Sequence, residues 1–154
     1  MKKEIIIKEK MSLMEWSNTL RNLPEDLWFK PFREGAWGIA DVISHFISWD
    51  QFVMKNRIVF LLGNEDFPKL TIDADEINKQ ASNYARSGIS QEELINEFIG
   101  TRKDLVTLLE KIPTEKFDQK YPGKEDMTLN DYFLGLIDHD LKHKQQIELH
   151  IKNK

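Results

Sequence analysis

A chain of 154 residues with 40% hydrophobic and 31% charged residues has the composition of an ordinary globular protein of one-domain size, which excludes disorder as its main state. The formal charge of −4 leaves no electrostatic footprint for a phosphate backbone. The absence of cysteine excludes disulfides and thiolate ligation, so any metal site must be built from histidine and carboxylate.

The first residues carry the short run Ile5-Ile6-Ile7, which Lys8-Glu9-Lys10 cuts off well below a signal-peptide core. The longest apolar run, residues 58–62, falls far short of the ~20 residues a membrane span needs. The expectation is a cytoplasmic protein with one domain over residues 1–154 and with neither membrane nor nucleic acid as a partner.

Leu13, Trp16 and Leu20 recur at helical spacing and predict a first helix over about 12–22, with an open N-terminal limit. Residues 23–38, aromatic-rich and broken by Pro24, Pro31, Gly35 and Gly38, read as a loop pinned by its own aromatics, with Trp37 closing one end of the fold. Val42, Phe46, Trp49, Phe52, Val53 and Phe60 then predict a long helix over 39–62, stopped by Gly63-Asn64. Residues 73–86 can form another helix. Ser90 followed by Glu93 spells a capping box that opens a helix running to Ile112 and ended by Pro113. Residues 114–127 read as a loop, and Thr128 as the cap of a last helix reaching about 151. No segment alternates as a strand does. The economical architecture is an all-α four-helix bundle with a short extra helix.

Chemistry is concentrated in the histidines. His139 and His143 stand four apart on a helical segment, so their imidazoles share one face about 6 Å apart along the axis and can converge on one cation. His45, between Val42 and Trp49 on the apolar stripe of the 39–62 helix, points inward and needs a partner. If those helices are neighbours, three neutral nitrogens meet and leave a position open on a divalent ion. Open coordination would supply a water of lowered pKa or bind a thiolate. His150, near the chain end, reads as a solvated surface residue outside the site.

The run Arg33-Glu34-Gly35-Ala36-Trp37-Gly38-Ile39-Ala40-Asp41-Val42-Ile43-Ser44-His45, followed far downstream by His139-Asp140-Leu141-Lys142-His143, resembles the DinB-like superfamily of metal-binding four-helix bundles. That resemblance implies one histidine on the second long helix and an HxxxH pair on the last as ligands, here His45, His139 and His143. It also implies a homodimer formed through helix faces. The lead-in Arg33 to Trp37 is similar to that of a branch of metal-dependent hydrolases and bacillithiol transferases. Where that branch carries a His-rich last helix, this chain has Lys142, Lys144, Gln145 and Gln146.

Around the proposed site, Trp49 and Phe52 are candidates for an apolar pocket wall, Gly135 for a gap beside the ion or a close helix approach, and Gln146 for a polar pocket group. Asp41, Asp138 and Asp140 are each placed to accept a ring N–H, although Asp138 and Asp140, about 100° off the ligand face, read as solvated charges. No general base is named. There is no HExxH, G-x-S-x-G, Walker loop or paired Glu-x-x-His, which removes zincin, serine hydrolase, P-loop and di-iron readings. The expected cofactor is one divalent ion, zinc or nickel. The leading function is a metal-dependent enzyme, hydrolase or low-molecular-weight thiol transferase, acting on a small-molecule substrate. The alternative is a non-catalytic or stress-associated bundle in which the ion is structural.

Overall fold

The computed structural model describes residues 2–124 and 126–153, and among these it is all-α, with no helix long and apolar enough to cross a membrane. The helices are α1 (Lys2–Ser17), α2 (Glu25–Phe29), α3 (Ile39–Val53), α4 (Val59–Leu62), α5 (Ala74–Ala85), α6 (Gln91–Lys111) and α7 (Leu129–Lys152). Four of them, α1, α3, α6 and α7, build the bundle. Helix α6 packs between α1 and α3, α7 lies on α1, and α5 covers α3. Between α3 and α7 contact is sparse.

Helix α1 begins ten residues earlier than the apolar spacing 13–16–20 indicates, and a tight 3-10 turn over Asn18–Leu20 replaces its expected last turn. Its buried stripe is Ile6, Lys10, Leu13 and Ser17, a helical repeat interrupted by polar residues. Lys3 fixes the start by donating from Nζ to the carbonyls of Glu110 (2.6 Å) and Ile112 (2.8 Å) at the end of α6. The expected 23–38 loop contains α2, which follows Pro24 and places Glu25 and Asp26 in its first turn, where the helix dipole favours acids. Trp28, fully buried, anchors it.

The predicted 39–62 helix is present with a π-turn, Met54–Ile58, joining α3 to α4. One extra residue in that turn moves the buried face from Asp50 and Val53 to Ile58 and Leu61 and carries Arg57 off the core side. Arg57 lies instead between the rings of Phe52 (5.1 Å) and Phe67 (4.9 Å). The caps at Ser90 and Thr128 form as their sequences indicate, each side chain accepting from the N3 backbone N–H while Glu93 or Asp131 returns to the cap. The segment 114–127, read as loop, holds a 3-10 turn at Thr114–Asp118, and Lys120 bridges Thr128.

Candidate metal centre

The start of α3 is fixed before the site can form. Gly38 permits it, since a Cβ there would sit 2.6 Å from the carbonyl oxygen of Lys30. Asp41 accepts from the N–H of Gly38 (2.8 Å), from the hydroxyl of Ser82 (2.6 Å) and from Arg86 through Nη2 (2.6 Å) and Nε (3.1 Å). Burial pushes this carboxyl's pKa up, but Arg86, Gly38 and Ser82 together hold it below the ordinary carboxylate value. Asp41 therefore does not serve His45 as a ring acceptor; it ties α5 to the N-terminus of α3.

That tie brings Asn78, one turn before Ser82, against His45. The indole Nε1–H of Trp49 donates to Asn78 Oδ1 at 2.8 Å, and Nδ1 of His45 lies 3.0 Å from the same oxygen. An indole nitrogen only donates, so the atom facing it is the amide oxygen, and His45 must carry its proton on Nδ1. Nε2 is left with a free lone pair, the tautomer a ligand histidine needs. Burial, with smaller contributions from His143 and His139, pulls the His45 pKa down to about 4 against the opposing Asn78 bond, so the ring is neutral at pH 7.

His139, exposed, and His143, half-buried, come from the middle of α7. Ring centroids lie 4.9 Å apart for His45 and His143 and 5.6 Å apart for His139 and His143. One nitrogen from each of the three lies within 4.8 Å of the other two, and among the described residues no carboxylate joins them. Nitrogens sharing one tetrahedral ion at Zn–N of about 2.1 Å are about 3.4 Å apart, a distance that modest ring rotation reaches. The donor set therefore fits a divalent ion. Trp37 roofs the group, its ring 5.2 Å from His45 and nearly parallel to His143 at 6.5 Å.

The sparse α3–α7 seam holds a cavity of about 300 Å³ that reaches His45 and His139. Phe46, Trp49, Val53 and Leu136 make its apolar walls, Ala74 and Asn78 of α5 its rim, and Lys10, Asp50 and Asp140 its polar floor.

The sequence profile of the DinB superfamily matches residues 10–147. The chain belongs to the DinB superfamily. No curated protein and no solved structure matches it. Superfamily members typically bind metal, and in this DinB bundle the histidine triad is the group that could hold one.

Trp49 and Gly135 lie on the cavity wall, and among the described residues nothing of another element stands within 4 Å of where a Gly135 Cβ would be, so no described helix approaches closely there. Phe52 stands behind Trp49, ring to ring at 5.2 Å, and does not line the cavity. Gln146 also lies outside it, with Oε1 3.3 Å from Nδ1 of His143. Asp138 is solvated and pairs with Lys142. Asp140 corrects the reading of a solvated charge, because it is buried and accepts from Lys10 (2.9 Å) and Arg102 (3.2 Å). The core stripe of α7 is Phe133, Ile137, Asp140 and Ile147, and the two ligand-type histidines stand on its flank. His150 is likewise no solvated surface residue, since its ring packs edge-on against Phe32 at 4.8 Å and its buried Nε2 has no partner among the described residues.

Asn78, Lys10, Asp50 and Arg102 were not singled out from sequence. For the last three a signal existed. Each charged residue occupies a position of an apolar stripe: Lys10 between Ile6 and Leu13, Asp50 between Phe46 and Val53, Arg102 between Phe98 and Leu105. Asn78 gave none, because its meaning depends on where α5 docks.

Proposed function

We propose that this DinB superfamily protein holds one divalent ion, zinc or nickel, on His45, His139 and His143, and is a metal-dependent enzyme for a small molecule, acting by hydrolysis or by transfer of a low-molecular-weight thiol. The observation that carries the reading is the juxtaposition of three imidazole nitrogens with a cavity of about 300 Å³ that has apolar walls and a polar floor. A bound divalent ion would supply Lewis acidity toward a water, a thiol or a carbonyl. The chain's own residues do the rest. Asn78 and Trp49 set the His45 tautomer, Trp37 shields the group from one side, and Phe46, Trp49 and Leu136 exclude water around a substrate held between α3 and α7.

One observation favours the structural alternative: α3 and α7 touch little, and an ion shared by His45 and the α7 pair would staple them. The lack of a fourth protein ligand among the described residues favours the enzyme. Elemental analysis of the native protein beside His143→Ala tests the site. The expected result is about one ion per chain in the native protein and loss in the variant, followed by turnover in hydrolysis and thiol-transfer screens that chelation abolishes. No stoichiometric ion on folded native protein sinks the proposal, and loss of stability without any turnover transfers it to the structural alternative.

A further inference from the structure

The polar floor of the cavity takes no part in holding the ion. It is made by Lys10 of α1, Asp50 of α3 and Asp140 of α7, and Arg102 of α6, buried outside the lining, joins them into a quartet of buried charges with one from each long helix. Arg102 grips Asp50 with two bonds, Nε to Oδ2 at 2.6 Å and Nη2 to Oδ1 at 3.1 Å, and reaches Asp140 Oδ2 from Nη1 at 3.2 Å. Both oxygens of Asp50 are thereby engaged. Lys10 makes one bond, 2.9 Å to the same Oδ2 of Asp140. An ammonium has three donors and a carboxylate two acceptor oxygens. Among the described residues, two N–H donors of Lys10 and Oδ1 of Asp140 have no protein partner, and both residues line the cavity.

Unmade donors on buried Lys10 are costly and Oδ1 of Asp140 is open to the cavity, so the cavity is where these groups find partners. The charge balance then selects the partner. Two cations and two anions cancel, so an anionic ligand would bring uncompensated charge beside Asp50 and Asp140, and a cationic one would do so beside Lys10 and Arg102. An uncharged group that accepts at one atom and donates at another satisfies Lys10 and Asp140 together.

We infer that Lys10 and Asp140 form a recognition site for an uncharged donor–acceptor head group of carboxamide type, carried by a small molecule whose apolar body lies along Phe46, Trp49 and Leu136 toward His45 and His139. The inference rests on reading the cavity as the substrate site, and deepens that reading by naming the substrate's far end. Its test uses metal-free protein, so that it is independent of whether the triad holds an ion.

Hexanamide, hexanoate and hexylamine share one chain and differ in head group. Calorimetric or NMR titration of each into the native protein is expected to give hexanamide an affinity about tenfold above the other two. Lys10→Met leaves the quartet with one net negative charge, and the order should turn in favour of hexylamine. Gly135→Leu fills the cavity from a position where a Cβ meets nothing, replaces a helix-interior glycine and so folds, and should abolish binding of all three. The inference is overturned by hexanoate binding tightest to native protein, by no binding of hexanamide, by an unchanged order in Lys10→Met, or by full binding in Gly135→Leu. Repeating the series with Zn²⁺ separates the two ideas, because a hexanoate gain seen only with Zn²⁺ belongs to the ion, and failure to take up Zn²⁺ removes the enzyme reading without altering the head-group order.

Discussion

Two side chains decide where the proton of His45 sits, and neither is a histidine. Trp49 forces Asn78 to present its oxygen, and that oxygen holds the proton on Nδ1. Asn78→Ala should therefore weaken metal affinity about 10–100-fold in a chelator competition titration, with the fold unchanged in circular dichroism. Asn78→Asp, which still accepts, should keep most of the affinity. Equal affinities for native protein and Asn78→Ala would show that the tautomer needs no such control. The histidines themselves were legible in sequence, because residue type and the i, i+4 spacing are local properties of a helix. Asn78 was not, since nothing in residues 73–86 tells which helix α5 covers. The Asp140 reading failed for a related reason. An offset of 100° from the ligand face is solvent only if that face points at the core centre, and here it points along the core's edge.

Among the longer helices, α5 buries only Ala81 and Ala85, and Asp41 ties it to α3 through Ser82 and Arg86. Because that carboxyl titrates below its ordinary value, its stabilisation is complete above about pH 4 and is lost as the pH falls through the lower folded-state value. Asp41→Asn should lower stability at pH 7 by about 1–3 kcal/mol, a range set by a buried carboxylate whose partner Arg86 is partly solvated. It should also flatten the acid limb of the stability curve below about pH 4, read from urea unfolding across pH. An acid limb as steep in the variant as in the native protein would assign that limb to other groups. Helix boundaries set by caps, at Ser90 and Thr128, were legible because the signal lies within four residues. The early start of α1 and the π-turn of Met54–Ile58 were not. Both are imposed by what the helix packs on: the α6 C-terminus that Lys3 caps, and a core that takes Ile58 in place of Arg57.

At the scale of the whole molecule, the quartet of Lys10, Asp50, Arg102 and Asp140 joins all four long helices through charge rather than apolar contact. Arg102→Met would strand the buried carboxylate of Asp50, leave Asp140 to Lys10 alone, and should cost about 3–5 kcal/mol in urea unfolding, whereas replacing all four with apolar residues of similar size should cost far less. An Arg102→Met variant within about 1 kcal/mol of native would mean that water already reaches the quartet. The bundle itself was legible from apolar periodicity. The quartet was not, because pairing among helices is a tertiary fact that a charge on a stripe only hints at. One consequence concerns how such a protein can diversify. Trp49 is both a wall of the cavity and the donor that orients Asn78, so drift at this one position alters ligand shape and imidazole chemistry together. Selection for a new substrate has to work through the opposite wall, at Gly135 and Leu136, where nothing but volume is at stake.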